Sequence, residues 1–142
     1  MSAEQSKAIA QSYFEKLTNV HNLDAINELF DPGISFHDPA IPGGSVNGLG
    51  AVRFFFTTFF SAFPDVKFTI EDLFAEDDKA TVRFTWTGTH RGKFLGIIST
   101  HKQVTVPGTN IFHITNGKIA EVRVCMDTLL FVKQLIELPK LG

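Results

Sequence analysis

The sequence predicts an α+β fold in which helices pack against one side of an antiparallel sheet. Apolar residues recur at helical spacing in the first 63 residues and again near the end, whereas an alternation of apolar and polar residues dominates residues 66–127. Helices and strands grouped in this way are typical of the α+β class. The length of 142 residues suits one domain that spans residues 1–142.

Three helices are predicted before the main sheet and one after it. Residues 3–18 carry an amphipathic stripe, and a shorter helix over Leu23–Phe30 ends at Asp31-Pro32-Gly33. The third helix, residues 47–63, ends at Pro64. Its buried stripe has i, i+3, i+4, i+7 spacing and consists of Phe56, Phe59, Phe60 and Phe63. The last helix is predicted over residues 128–138.

The strands are predicted as one short extended stretch followed by a meander. The stretch covers residues 34–38 and precedes a loop at Pro42-Gly43-Gly44. The meander comprises residues 66–75, 79–90, 103–115 and 119–126, with a bend or bulge at Pro107-Gly108. Asn116-Gly117 predicts a two-residue hairpin turn.

The turn after Ala75 leaves two registers open. A two-residue loop places Leu73 beside Val82, whereas a bulged loop places Phe74 on the apolar face.

Composition excludes several classes of function. The net charge is −2 and no Lys/Arg run occurs, so we expect neither nucleic acid nor a membrane surface as a partner. The N-terminal residues show no secretory signal, and no apolar run reaches the ~18 residues that span a bilayer, so a cytoplasmic location is expected. The only cysteine, Cys125, excludes an intramolecular disulfide and is interpreted as a small buried strand residue.

Familiar cofactor and nucleophile motifs are missing from the sequence. There is no glycine-rich phosphate loop, no zinc-ligand spacing and no Gly-x-Ser-x-Gly elbow. We therefore expect no cofactor and no metal, which leaves acid–base chemistry by Asp and His. The 15 Phe residues, against one Trp and one Tyr, require a large core or a core with a lined cavity.

Asp127 is the main catalytic candidate because it stands between an apolar strand and an apolar helix. It either caps the helix by accepting backbone N–H groups or faces an apolar cavity that raises its pKa and makes it an acid or base. Thr128 is an alternative cap.

His113 is the second catalytic candidate. A two-residue turn pairs it with Ala120 and gives it the parity of Val122, opposite to that of Asp127. The two residues share a pocket only if a bulge or the strand end turns Asp127 inward. The alternative for His113 is an exposed or interface histidine.

Seven further residues are candidates for substrate binding. His37-Asp38 precedes the glycine-rich loop and lines a pocket mouth, or Asp38-Pro39 starts an ordinary turn. Arg123 shares the parity of Asp127, with a surface or dimer-interface residue as the alternative. His90 borders the long loop 91–99 at the expected pocket rim. The aromatic candidates for pocket walls are Phe36, Phe59, Phe63 and Trp86.

Three segments in this order carry a family resemblance. They are Ala62-Phe63-Pro64-Asp65, Gly88-Thr89-His90-Arg91-Gly92 and Asn116-Gly117-Lys118-Ile119-Ala120-Glu121, followed by Asp127 and Gln134-Leu135. Over nearly its whole length the chain resembles the SnoaL-like polyketide cyclase family, within the nuclear transport factor 2-like superfamily. The resemblance implies a cone-shaped, cystatin-like α+β fold: a curved antiparallel sheet wrapped round helices, with an apolar pocket and a homodimer or larger homo-oligomer.

The same resemblance implies a function. Characterised cyclases of this family close a ring by intramolecular aldol condensation on an aromatic polyketide ester, without metal or cofactor. Asp127 matches their acid/base aspartate and His113 a pocket histidine, although many members have Trp at position 123 and often Arg at position 113. A hydrophobic small molecule is thus the expected partner. The alternatives on this fold are a non-catalytic binding or dimerisation module, a hydrolase and a dehydratase.

Overall fold

The computed structural model describes residues 2–137, and in that range four α-helices accompany one curved six-stranded sheet. The helices are α1 (Ala3–Ser12), α2 (Ala25–Leu29), α3 (Leu49–Ala62) and α4 (Thr128–Leu135). The strands are β1 (Phe30–His37), β2 (Ser45–Asn47), β3 (Lys67–Glu76), β4 (Lys79–Thr89), β5 (Gln103–Thr115) and β6 (Lys118–Met126). Their spatial order is β2-β1-β6-β5-β4-β3. The predicted α+β class is confirmed; residue 138, the predicted end of the last helix, lies outside the described residues.

Residues 3–18 are helical as predicted, but the helix type changes after Ser12. Ser2 and Gln5 form a capping box, in which each side chain bonds the other residue's backbone N–H. From Tyr13 to Thr18 the helix widens into a π-helical segment. Such widened turns are rare and occur frequently at functional sites.

Helix α3 carries the predicted phenylalanine stripe but begins two residues late. Ser45–Asn47 pair with β1 as the short edge strand β2, which the sequence analysis did not predict. Gly48 then adopts a φ of 89°, a conformation suited to glycine, and the helix starts at Leu49. Phe56 and Phe59 are buried against the sheet.

One strand pair departs from the predicted antiparallel sheet. β1 runs parallel to β6, with Phe36 opposite Val122 and His37 opposite Arg123. The paired residues are far apart in sequence, and a local pattern of apolar residues carries no signal for such a contact. β1 also starts at Phe30, so Asp31-Pro32-Gly33 belongs to a strand instead of a loop.

Both predicted hairpin turns have two residues. Thr115 pairs with Lys118 across Asn116 and Gly117, whose φ angles are 51° and 78°. Glu76 pairs with Lys79, which places Leu73 opposite Val82 and leaves Phe74 exposed. The open choice at this turn is thus settled in favour of the two-residue loop.

The position of the bulge in β5–β6 differs from the prediction. β5 pairs with β4 through Pro107 and Gly108 without a register shift, so the pair has no bulge there. The shift lies instead between His113 and Ile114, and it pairs His113 with Glu121 in place of Ala120. This one-residue slip decides which face of the sheet each later side chain takes.

Candidate functional site

A narrow apolar cavity of about 30 Å³ lies between the inner face of the sheet, the π-helical segment and α3. We call it the inner cavity. Aromatic side chains form most of its walls. Its lining is Tyr13, Phe36, Asp38, Ala40, Phe55, Phe56, Phe59, Phe68, Phe84, Trp86, Phe94, Asn110, Val124 and Met126.

Asp38 is the only charged residue in this lining, and strand alternation brings it inside. Phe36 is buried, His37 points outward, and Asp38 follows on the inward side at the end of β1. The loop holds it firmly, because its Oδ1 accepts the N–H of Ala40 at 2.8 Å and its carbonyl accepts the N–H of Ile41 at 3.0 Å. Burial raises the pKa of the Asp38 carboxyl to about 6, against the lowering effect of the Ala40 hydrogen bond.

Tyr13 brings the phenol of the chain's single tyrosine into the same cavity. It stands at the first position of the π-helical segment and is 3% exposed. Burial raises the pKa of its hydroxyl well above the ordinary value and the Asp38 carboxylate raises it further, whereas the Asn110 amide lowers it. The hydroxyl therefore stays protonated at neutral pH and is available as a hydrogen-bond donor.

Asn110 completes the polar group of the cavity. It lies on β5 with the inward parity of Phe112 and is 1% exposed. Within residues 2–137 its Oδ1 has no hydrogen-bond partner. Because a buried, unsatisfied acceptor is costly, this atom is suited to receive a donor from a bound molecule.

These three side chains form a constellation suited to proton transfer at carbon. A carboxyl with a pKa near 6 works as a base at neutral pH and, once protonated, as an acid. A neutral phenol beside it can stabilise negative charge that develops on a carbonyl oxygen. The apolar walls exclude water, which strengthens both interactions.

Three of the four predicted aromatic residues line this cavity. Phe36, Phe59 and Trp86 are in the lining, and the rings of Phe59 and Trp86 meet edge to face at 5.3 Å. Phe63 lies one layer behind, fully buried, with its ring 5.1 Å from that of Trp86. It supports the wall without facing the cavity.

Asp127 lies outside the inner cavity, where it caps α4. Its Oδ1 accepts the N–H of Leu130 at 3.0 Å, and the side chain is exposed. The capping alternative therefore describes its geometry, while Thr128 bonds back to the carbonyl of Met126 instead. On β6 the residues that line the cavity are Val124 and Met126, neither of which titrates.

His113 also lies outside the cavity, which corrects its expected orientation. The bulge beside it gives it the outward parity of Glu121, and its Nε2 lies 3.0 Å from Oδ2 of Asp78. A bulge is thus present, as a shared pocket requires, but it directs His113 to the outer face of the sheet. Asp127 also stays outside the cavity. The structure does not bring the two predicted catalytic residues together at the cavity.

His37 and Arg123 meet on the outer face of the sheet. His37 Nε2 lies 3.6 Å from Oε2 of Glu121, which also accepts Nη2 of Arg123 at 3.3 Å. Cys125 on the same strand is exposed, contrary to its interpretation as a buried residue, because outward parity starts at Glu121 after the bulge. These placements correct the expectation that His37 and Arg123 line the pocket.

His90 is buried but anchors a loop instead of lining the cavity. Its Nδ1 accepts the N–H of Thr100 at 3.2 Å, and its ring stacks on Phe63 at 5.4 Å. Burial lowers the pKa of His90, so the ring is neutral near pH 7. The loop that it holds carries Phe94, a residue of the cavity lining.

Of these three polar residues the sequence indicated only Asp38, as part of a possible pocket mouth with His37. Asp38 had a usable signal, since it has the parity of the apolar residues Ile34 and Phe36. Tyr13 looked like an ordinary residue of an apolar helix stripe. The inward parity of Asn110 had no signal of its own, because it depends on the register of β5.

Residues 2–137 contain neither a metal-ion cluster nor a membrane-spanning helix. No group of three or more His, Cys, Asp or Glu side chains in this range is arranged to hold a metal ion. No helix within it is long and apolar enough to cross a membrane.

Comparisons with known proteins place the chain among related folds. The model of the SnoaL-like polyketide cyclase family matches residues 8–135. A predicted SnoaL-like polyketide cyclase from Jannaschia sp. CCS1 is 24% identical, with a TM-score of 0.86 over 96% of this chain and 95% of that one. AclR, a predicted hydroxylase from Streptomyces galilaeus, is 23% identical, with a TM-score of 0.82 over 99% of this chain and 87% of that one.

A third solved structure is also similar to this chain. A predicted polyketide cyclase from Acidithiobacillus ferrooxidans is 25% identical, with a TM-score of 0.79 over 92% of this chain and 94% of that one. The comparison with curated proteins gives no match. The solved structures share this fold, and their names cover more than one chemistry.

Proposed function

Because the chain belongs to the SnoaL-like polyketide cyclase family, we propose that it is a cofactor-independent acid–base enzyme acting on a flat, hydrophobic carbonyl compound. The reaction is an intramolecular aldol ring closure or a related isomerisation. The observation that carries the proposal is the buried Asp38 carboxyl beside Tyr13 in an otherwise apolar cavity. Asp38 thereby takes the acid/base role that the resemblance assigns to Asp127.

Asp38 accepts a proton from the substrate in the first step and returns it in the last. Its carboxylate removes a proton from a carbon flanked by carbonyl groups. The electron pair of the broken C–H bond is delocalised onto a carbonyl oxygen, which gives an enolate. The enolate carbon attacks a second carbonyl of the same molecule, which forms the C–C bond and leaves an alkoxide. The protonated Asp38 returns its proton to that alkoxide, so the carboxylate is regenerated.

Tyr13 and Asn110 position the substrate and stabilise the charge. The Tyr13 hydroxyl donates to the oxygen on which the enolate charge develops, an interaction that strengthens as the reaction proceeds. The unpartnered Oδ1 of Asn110 accepts from a hydroxyl of the substrate.

Solvent exchange at carbon tests this proposal without knowledge of the natural substrate. The aromatic ketone 2-tetralone has an activated C–H, and NMR in D₂O follows its replacement by deuterium. We expect the protein to accelerate the exchange and Asp38→Asn to reduce that acceleration by about 10²–10⁴-fold.

Asp127→Asn is the matched control, because it removes a carboxylate of the same type outside the cavity. We expect it to leave the exchange rate unchanged. Loss of activity in Asp127→Asn with full activity in Asp38→Asn would overturn the assignment to Asp38. Binding of 2-tetralone without any exchange would favour the non-catalytic binding module.

We also propose that the outer face of the sheet forms a homodimer. Phe74 pairs with Thr81 and Thr81 with Ile111, so these residues form one row across three strands. Phe74 is 59% exposed and Ile111 is 45% exposed, an apolar surface that a second copy would cover. Sedimentation of Ile111→Lys as a monomer, with the wild type as a dimer, would support this proposal; a monomeric wild type would contradict it.

A further inference from the structure

A second, open groove of about 740 Å³ adjoins the inner cavity. We call it the outer groove. Its walls are the loop of residues 39–42, Val46 of β2, one side of α3 and the loop of residues 93–96. Ala40, Phe55 and Phe94 line both the cavity and the groove, so the two spaces adjoin along these side chains.

The outer groove is apolar to a degree that is unusual for an exposed surface. Its lining includes Ile41, Pro42, Val46 and Leu95, and Phe54 is 74% exposed. A concave apolar surface of this kind is typical of a ligand site or an interface. Its continuity with the inner cavity favours a ligand that occupies both.

A single charged residue lines this groove, and it is basic. Lys93 is exposed, and no ion pair or side-chain hydrogen bond to another residue in the range 2–137 engages its ammonium group. The charge is therefore available to an acidic group on a bound molecule.

We propose that the substrate is an elongated amphipathic molecule whose reacting ring enters the inner cavity and whose apolar arm lies in the outer groove, with an acidic group at Lys93. The inference rests on the proposed function for the identity of the reacting end. The arm makes no covalent change. Its burial supplies binding energy that holds the ring beside Asp38.

The test uses ω-(2-naphthyl)alkanoic acids of increasing chain length, their primary amides, and naphthalene as the ring alone. Binding is measured by titration calorimetry. We expect the affinity to rise about two- to four-fold for each added methylene until the groove is filled. We expect each long acid to bind about two- to five-fold more tightly than its amide.

Two variants separate the contributions of charge and of the groove. Lys93→Gln should abolish the difference between acid and amide, whereas Lys67→Gln, on exposed strand β3, should preserve it. Ala51→Trp fills the groove without touching the inner cavity, so it should abolish the dependence on chain length but leave naphthalene binding intact.

An affinity that does not depend on chain length in the wild type would overturn the inference. If that flat series is accompanied by an oligomer that Ala51→Trp dissociates, the groove is instead an interface between copies. Asp38→Asn should retain the binding profile, so failure of the proposed chemistry is distinguishable from failure of the groove assignment.

Discussion

Replacement of Asp38 by Asn should stabilise the protein at neutral pH. The pKa of this carboxyl rises from 3.8 to about 6 on folding because the group is buried. At about 1.4 kcal/mol for each pKa unit, the ionised form costs the folded state about 3 kcal/mol. Asparagine keeps an acceptor for the Ala40 N–H but carries no charge, so it avoids this cost.

The sign of the pH dependence follows from the two pKa values. Below pH 3.8 the carboxyl is protonated in both the folded and the unfolded chain, and its ionisation costs nothing. As the pH rises from 3.8 to about 6, the unfolded chain releases the proton and the folded chain retains it, so stability falls. Above that range the loss is complete. Asp38→Asn should therefore gain about 3 kcal/mol over wild type between acid and neutral pH.

Urea unfolding at a series of pH values measures this gain. The fluorescence of Trp86, the single tryptophan, reports on the cavity wall directly. Subtraction of the wild-type unfolding free energy from that of the variant at each pH removes the contribution of the other titrating groups. A stability difference that stays constant across the pH range would refute the burial argument, as would a variant that is less stable than wild type at neutral pH.

Asp65→Asn supplies a control of opposite sign. Burial raises the pKa of Asp65, but its hydrogen bonds lower it: the hydroxyl and N–H of Thr89 donate at 2.7 Å each, and a backbone N–H adds to them. Together with the charge of Arg91 they outweigh burial, so the pKa lies below its ordinary value. Its contribution to stability is therefore present above its ordinary pKa and is lost as the pH falls through the lowered value. The variant should be less stable than wild type at neutral pH, and the deficit should shrink in acid.

Three further variants test the site and the fold. Tyr13→Phe should reduce the 2-tetralone exchange rate about 10²–10³-fold while the fold stays intact by circular dichroism, since it removes the donor to the enolate oxygen. Asp127→Ala should lower unfolding free energy by about 1 kcal/mol, because the Leu130 N–H loses its acceptor, and leave exchange unchanged. Gly108→Ala should cost about 1–3 kcal/mol in urea unfolding, because its Cβ would lie 2.6 Å from the buried Phe84 ring.

Each of these three predictions has a specific contrary outcome. Full exchange activity in Tyr13→Phe would remove the phenol from the mechanism. A large loss of exchange in Asp127→Ala, without loss of structure, would restore the late aspartate as the catalytic group. Wild-type stability in Gly108→Ala would mean that the Phe84 ring moves at little cost.

Local patterns in the sequence were sufficient for most of the elements. The phenylalanine stripe of residues 56–63 predicted α3, because helical side chains three and four apart share one face. Asn116-Gly117 predicted its turn, because both residues adopt positive φ there. The family motifs around Asp65, His90 and Asn116 predicted the curved sheet wrapped round helices.

The candidate site depended on contacts that local patterns do not carry. A single bulge beside His113 reversed the face taken by that residue, because the side-chain period of a strand is two. The parallel pairing of β1 with β6, together with the turn after His37, brought Asp38 to the inner cavity. Tyr13 and Asn110 became its neighbours through packing alone.

The sequence by itself determined the class, the helices, the hairpin turns and the family, because each depends on spacings of a few residues or on the order of short motifs. Only the tertiary structure decided which carboxylate is buried. Asp127 and Asp38 both follow apolar strands, but one lies at an exposed helix start and the other inside an aromatic cavity. Desolvation sets the pKa of a carboxyl, and desolvation is a property of the packed molecule.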